Sequence, residues 1–134
     1  MSILKSLLTA AVVTCGVLAV PCAYAAEGPV VTPLLTKALQ DFPGKEALLI
    51  TVQYPPGGAD PVHRHDAHGF VYVLEGSVVM QVRGGKEVTL TRGQVFYEGP
   101  SDVHVVGRNA SSTQPGRMLV LLLKKEKTPA LTVE

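Results

Sequence analysis

Short apolar runs, separated by glycine and proline, dominate the sequence from residue 46 onward. They are four to eight residues long and rich in Val, Leu and Tyr, as at 47–54, 70–74, 77–83 and 117–124. Runs of this length, with turn residues between them, are typical of an all-β sandwich or barrel. The sequence has no long amphipathic helical pattern and no internal repeat. We therefore predict a single all-β domain.

The character of the runs favours a closed jelly-roll barrel over an open sheet. Several runs are apolar at nearly every position, which is typical of strands covered on both faces. Few have the polar character of an exposed sheet edge. Gly84-Gly85 predicts a hairpin, because tight hairpin turns need positive φ. We place the barrel at residues 46–125, followed by a tail at 126–134.

Residues 26–45 are predicted to be an N-terminal arm that precedes the barrel. Residues 27–33 have the character of an extended linker. Residues 34–39 have the composition of one or two helical turns, which Pro43-Gly44 would end.

The first 25 residues have the pattern of a secretory signal. Lys5 precedes an apolar run at 7–20, and small residues at 23 and 25 form a cleavage site. The run is shorter than the roughly 20 apolar residues that a membrane-spanning helix needs. We predict a periplasmic or secreted protein with no membrane segment after cleavage. Cys15 and Cys22 both fall inside the signal, so the mature chain would have no disulfide.

Charge excludes one class of partner. The chain has 12 Lys and Arg against 11 Asp and Glu, and the two signs are interspersed. Nucleic-acid binding calls for a basic stripe with interleaved aromatic residues, and none is present. We interpret the lysines at 124, 125 and 127 as a solvated strand end.

The four histidines carry the functional signal: His63, His65, His68 and His104. Residues two apart in a strand point to the same face, so His63 and His65 would project together, about 6–7 Å apart at the backbone. Both imidazoles could then reach one metal ion, with His104 as the third ligand. A surface His-x-His beside an unrelated core histidine has the same spacing, so both interpretations are open on spacing alone.

Two stretches resemble the conserved motifs of the cupin superfamily. In residues 57–76, Gly57, His63, His65 and Gly76 fall in register with the first motif, a glycine, five residues, His-x-His, a glutamate and a closing glycine.

Residues 93–109 resemble the second motif, in which a histidine follows the opening glycine by eleven residues. Gly93 and His104 have this spacing, while Pro100 and Asn109 each lie one place later than in the motif. The resemblance implies a small single-domain cupin with a double-stranded β-helix fold. It also implies a metal site at the motif histidines and a homodimer.

The sequence departs from the first motif at the metal-binding glutamate, where this chain has Gly69. His68 is the neighbouring candidate, but a shift of one residue along a strand turns a side chain to the other face. We expect His68 to point away from the ion unless the backbone bulges. Glu98 lies in the strand that leads to His104. Facing inward, it would be a ligand, a base or a partner of a histidine. A solvent-facing turn residue is the open alternative.

Four further residues flank these candidates. Arg64 and Asp66 alternate with the histidines and should face outward. Tyr72 and Tyr97 are candidates for the pocket lining, with structural packing as the alternative.

Three neutral imidazoles suit a divalent transition metal, which could be iron, manganese, nickel, copper or zinc. Without a ligating carboxylate the site would keep a charge near +2 and favour a small anionic or chelating ligand. The three-histidine arrangement is similar to that of cupin oxygenases, which suggests oxidative cleavage of such a ligand. Two alternatives are open: a binding or sensing protein without turnover, and hydrolysis or isomerisation at a zinc-like site.

Overall fold

The computed structural model describes residues 27–134, whose regular structure consists of ten β-strands. The predicted signal segment, residues 1–25, lies outside the described residues. Among residues 27–134, no helix has the length and apolar character needed to span a membrane. The strands are β1 (Val30–Ala38), β2 (Lys45–Tyr54), β3 (His63–Arg64), β4 (His68–Glu75), β5 (Ser77–Val82), β6 (Val88–Thr91), β7 (Val95–Glu98), β8 (His104–Asn109), β9 (Gly116–Lys125) and β10 (Thr132–Val133).

The strands form two antiparallel five-stranded sheets. The first sheet has the order β1-β2-β9-β4-β7, and the second has the order β10-β3-β8-β5-β6. The chain passes from one sheet to the other at every connection except β1–β2 and β5–β6, as in a jelly roll. The prediction of a single all-β double-stranded β-helix domain is confirmed. Gly84 lies in the β5–β6 turn with a φ of 80°, although the connection spans residues 83–87 rather than two residues.

The hydrophobic core fills the space between the two sheets. Buried and less buried residues alternate along β9 and β4, so that every second side chain points inward. Full burial of one such side chain contributes roughly 1.5–3 kcal/mol. The buried cluster comprises Ile50, Val52, Tyr54, Ala67, Val71, Val73, Val78, Met80, Leu90, Met118, Val120 and Leu122.

The predicted helical turns at residues 34–39 are wrong, because residues 30–38 form strand β1. This strand pairs with β2 from Val30↔Gln53 to Ala38↔Glu46, with a register shift after Pro33. A helix of one or two turns is unstable by itself, whereas the edge of β2 offers hydrogen-bond partners along its length. Pro33 is tolerated because β1 is an edge strand.

The outer face of the first sheet is apolar and exposed in the single chain. Phe70, Tyr72, Val95 and Tyr97 all point outward from β4 and β7 and are 45% to 67% exposed. The sequence predicted strands that are covered on both faces. Within one chain, this prediction is wrong for β4 and β7. Tyr72 and Tyr97 lie on this outer face rather than in the internal cavity, because strand alternation turns them away from the core.

Lys124 is buried, which corrects its interpretation as part of a solvated strand end. The residue is 2% exposed, and its side chain forms an ion pair with the Glu46 carboxylate. The ammonium also donates to the backbone carbonyls of Thr128, at 2.6 Å, and Lys125, at 3.3 Å. Lys124 therefore fixes the turn from which the C-terminal tail departs.

Replacement of Lys124 by Ala should lower the free energy of unfolding by about 3 kcal/mol, because it leaves the Glu46 carboxylate without its buried partner. Urea denaturation followed by circular dichroism measures this change. Lys125→Ala is the matched control, since Lys125 is exposed, and it should change the stability by less than about 0.5 kcal/mol. Equal effects of the two substitutions would contradict a buried ion pair.

Candidate metal centre

Three of the four histidines converge between the sheets. His63 lies on β3 directly opposite His104 on β8, and His65 follows β3. One nitrogen from each ring lies within 4.8 Å of the others, and the Nε2 atoms of His63 and His65 are 3.2 Å apart. His63 and His104 are 2% and 4% exposed. The structure therefore brings together the three histidines that the sequence predicts to share one metal site.

A tight turn after β3 places His65. Asp66 has a φ of 49°, in the left-handed region that aspartate tolerates better than most residues. Here the chain leaves β3 in the second sheet and enters β4 in the first. Arg64 and Asp66 face outward, as predicted, and form an exposed ion pair at 3.5 Å.

Backbone carbonyls orient two of the imidazole rings. His63 Nδ1 donates to the Pro61 carbonyl at 2.8 Å, and His65 Nδ1 donates to the Ala130 carbonyl at 2.6 Å. Since a carbonyl only accepts, each neutral ring carries its proton on Nδ1 and has a lone pair on Nε2. Two lone pairs 3.2 Å apart cannot hydrogen-bond to each other. This arrangement suits a shared cation.

His104 supplies a third unprotonated nitrogen. Its Nε2 is buried and has no hydrogen-bond partner among the described residues. Burial, together with repulsion from His63 and His65, lowers the pKa of His104 to about 4. Burial also lowers the pKa of His65. Neutral imidazoles with free lone pairs are the donor set that a divalent transition metal needs, so the residues fit such an ion.

Glu98 faces inward at the end of β7. It is 3% exposed, with Oε1 3.3 Å from His65 Nε2 and Oε2 3.7 Å from His104 Nδ1. Burial raises the pKa of Glu98 to about 7, although His63 acts in the opposite direction. The solvent-facing alternative for Glu98 therefore does not hold.

Gly69 explains why this carboxylate has room. Gly69 and Glu98 are direct partners in the β4–β7 ladder. A Cβ atom at position 69 would lie 2.8 Å from Glu98 Cγ and 3.0 Å from Oε1. A side chain at 69 would therefore push the Glu98 side chain out of its present position. Where the motif has a glutamate on β4, this chain has a carboxylate on the facing strand.

His68 lies on the outer face of β4, away from the other histidines. Its Nδ1 is 2.8 Å from the Tyr97 hydroxyl, and the two rings stack. The register of β4 against its neighbours is regular at this point. Strand alternation therefore turns His68 outward, as expected in the absence of a bulge.

The histidines and Glu98 line a small cavity whose other walls are largely apolar. Its volume is about 60 Å³, which has room for only a handful of non-hydrogen atoms. Apolar walls lower the local dielectric constant and so strengthen electrostatic interactions within the cavity. The lining residues are Val31, Ile50, Val52, Asp60, His63, His65, Val71, Met80, Glu98, His104, Met118, Val120, Ala130 and Leu131.

Sequence reasoning missed the role of the C-terminal tail. Residues 132–133 form β10, which pairs with β3, and Glu134 N donates to the Val62 carbonyl at 3.0 Å. Ala130 and Leu131 line the cavity, and the Ala130 carbonyl holds His65. Nothing in the composition of the tail signals these contacts, since most of them are made through its backbone.

A second carboxylate in the cavity also escaped the sequence analysis. Asp60 lines the cavity, and its Oδ2 accepts a hydrogen bond from the hydroxyl of the fully buried Tyr54. Burial raises the pKa of both groups. Asp60 lies within the first motif-like stretch, three residues before His63, but that spacing alone does not fix the direction of its side chain.

No curated protein matches the sequence, whereas many solved structures share the fold. A Klebsiella pneumoniae protein with a double-stranded β-helix domain has a TM-score of 0.64 at 16% identity, over 83% of this chain and 90% of that one. The DMSP lyase DddQ from Ruegeria pomeroyi has a TM-score of 0.58 at 22% identity. That match covers 65% of this chain but only 42% of the lyase, so this chain spans less than half the lyase's length.

A third similar structure is recombinant oxalate oxidase in complex with glycolate. Its TM-score is 0.60 at 22% identity, over 79% of this chain and 55% of the oxidase. At these identities the likenesses show the fold alone. The family model described as the cupin domain matches residues 50–122, more than half of the chain, and the chain therefore belongs to the cupin family.

Proposed function

We propose that the chain is a metal-dependent enzyme that oxidises a small chelating substrate with dioxygen as the co-reactant. The observation that carries the proposal is the convergence of three imidazoles and one buried carboxylate in a small, largely apolar cavity. When bound, a divalent transition metal would supply Lewis acidity and a centre for oxygen chemistry.

His63, His65, His104 and Glu98 are the proposed metal ligands. Glu98 takes the place of the missing motif glutamate, since its carboxylate lies against two of the histidines and fills the space beside Gly69. His68 is left out, because it faces the opposite side of the sheet. The ligand set would then carry one negative charge and leave a divalent site at +1.

The protein's own groups account for how such a site would hold a substrate. The carbonyls of Pro61 and Ala130 fix the orientation of His63 and His65 before any ligand arrives. A residual charge of +1 in a cavity with largely apolar walls favours an anionic oxygen ligand. The volume of about 60 Å³ restricts that ligand to a few non-hydrogen atoms. The similar oxalate oxidase and DMSP lyase structures also carry the names of enzymes with small substrates.

Elemental mass spectrometry of the purified full chain should find about one transition-metal ion per molecule. His63→Ala, His65→Ala and His104→Ala should each abolish stoichiometric metal, and Glu98→Gln should weaken metal affinity roughly 10- to 100-fold. The matched control is His68→Ala on the outer face, which should retain one equivalent. Loss of the metal in His68→Ala would point to a four-histidine site. Unchanged affinity in Glu98→Gln would remove Glu98 from the ligand set.

The same preparation tests the reaction in an oxygen electrode with small hydroxy and oxo acids. Metal-dependent oxygen uptake that disappears in His104→Ala is the expected result. Ligand-induced thermal stabilisation without any product would instead favour the binding or sensing protein. A zinc-loaded chain that turns over a substrate without oxygen would favour hydrolysis or isomerisation.

The pH dependence of the metal-free chain reports on Glu98. Because its pKa in the folded chain is raised from about 4.5 to about 7, folding favours the protonated form. This stabilisation is complete below about pH 4.5 and is lost as the pH rises through 7. Relative to Glu98→Gln, the wild-type chain should lose about 3 kcal/mol of unfolding free energy between pH 4.5 and pH 8.

Urea denaturation in the presence of a chelator measures this difference between the two chains. Glu75→Gln is the control, since Glu75 is exposed, and it should show no such trend. With metal added at pH 8, the order should reverse and the wild-type chain should become the more stable one. A difference that does not vary with pH would contradict the burial of an ionisable Glu98.

We also propose that a second copy of the chain covers the outer face of the first sheet. Tyr72 and Val95 are cross-strand partners there, and Phe70 and Tyr97 extend the same exposed apolar surface. Leu49, Leu119 and Leu121 adjoin it from β2 and β9. Contiguous apolar faces of this kind are rare on monomers, and a sheet face can pair with its own copy about a two-fold axis.

Light scattering coupled to size-exclusion chromatography should find twice the mass of one chain. Tyr72→Lys/Val95→Lys should shift the protein to the monomer, because it places charges on the proposed interface. Glu87→Lys, an exposed change on another surface, should leave the dimer intact. A wild-type monomer at micromolar concentration would refute this interface.

A further inference from the structure

A second acidic group, Asp60, faces the same cavity as Glu98 and the histidines. Its backbone N–H donates to the Gly107 carbonyl at 2.8 Å, and its Oδ2 accepts the hydroxyl proton of Tyr54. Tyr54 is fully buried, so its hydroxyl has a fixed direction. No other side chain among residues 27–134 hydrogen-bonds to the Asp60 carboxylate. One oxygen of Asp60 is thus held by Tyr54, and Oδ1 is free to contact a ligand.

Gly107 brings Asp60 close to the histidine cluster. A Cβ atom at position 107 would lie 2.9 Å from Asp60 Oδ2, 3.0 Å from the Tyr54 hydroxyl and 3.1 Å from His104 Cε1. The Asp60 carboxylate and the His104 ring therefore flank one point and lie within about 6 Å of each other. A ligand of a few atoms held at the histidines would reach Asp60.

The histidine cluster and the neighbouring Asp60 offer a bound ligand two unlike polar contacts. With a divalent ion, the histidines and Glu98 would carry a charge of +1 and favour an anionic oxygen. The Asp60 carboxylate accepts hydrogen bonds and repels a second negative charge. The rest of the cavity lining is largely apolar.

We infer that Asp60, positioned by Tyr54, selects a small monoanionic ligand that carries a hydrogen-bond donor, such as a 2-hydroxy monocarboxylate. The carboxylate and the 2-hydroxyl oxygen of this ligand would face the metal, and the proton of the same hydroxyl would be donated to Asp60. An oxo acid of the same size lacks the donor, and a dicarboxylate brings a second charge towards Asp60. This inference rests on the proposed metal site and adds the class of ligand to it.

Isothermal titration of the full chain, loaded with one equivalent of Zn²⁺, tests the inference with three probes. Lactate and pyruvate have the same carbon skeleton and both chelate through two oxygens, but only lactate has a donor. Oxalate is the dianionic probe. Zinc content is measured on every variant before titration, so that loss of metal is distinguished from loss of selectivity.

The wild-type chain should bind lactate at least tenfold tighter than pyruvate, as expected for one charge-assisted hydrogen bond. Asp60→Ala should bring this ratio to about one and raise the affinity for oxalate, with zinc content unchanged. Asp60→Asn keeps the shape of the side chain and therefore serves as a control for a folding defect. It should change the lactate-to-pyruvate ratio and the oxalate affinity in the same directions as Asp60→Ala. Tyr54→Phe should lower the ratio only in part, since Tyr54 acts through Asp60.

Equal wild-type affinities for lactate and pyruvate in a zinc-loaded chain would overturn the inference and leave the metal site standing. Retention of the full lactate-to-pyruvate affinity ratio in both Asp60 variants would also overturn the inference and leave the metal site standing. A chain that takes up no zinc would overturn the proposed function and, with it, the inference.

Discussion

The burial of three imidazoles and a carboxylate inside an apolar sandwich is the constraint to which the rest of the structure responds. A buried polar group is costly unless it finds a partner. His63 and His65 find backbone carbonyls, whereas His104 Nε2 has no partner among the described residues. Burial raises the pKa of Glu98 and lowers the pKa of His104, because the neutral form of each group is favoured away from water. A divalent ion would satisfy the lone pairs and the carboxylate together.

The C-terminal tail connects the stability of the fold to the geometry of this site. Lys124 is held by Glu46 and in turn holds the Thr128 carbonyl, so the turn after β9 has a fixed direction. Two residues further along, the Ala130 carbonyl orients His65, and β10 then pairs with β3 beside His63. A buried ion pair on the first sheet thereby helps to position a histidine of the site. Changes at Lys124 are expected to act on both stability and metal affinity.

The parts of the structure that follow from local alternation could be predicted from the sequence. The shared face of His63 and His65, the outward direction of His68 and the all-β fold all depend on a period of two along a strand. Residues whose environment depends on distant pairing could not be predicted in the same way. The direction of Glu98 is set by its register against Gly69, and the burial of Lys124 by its contact with Glu46, 78 residues away. Residues 34–38 form a strand for the same reason, since pairing with the edge of β2 makes the extended conformation favourable.

The position of the carboxylate changes what metal binding would do to the fold. Glu98 ends β7 in the first sheet, and His104 begins β8 in the second. The turn between them is held by hydrogen bonds between Gly99 and Asp102 in both directions. His63 belongs to the second sheet as well, so an ion bound by all these residues would join the two sheets across the core. A ligand that binds only the folded chain adds its binding free energy to the stability of the fold. In this cupin that free energy would act on the packing of one sheet against the other, the contact that also forms the cavity beside the histidines.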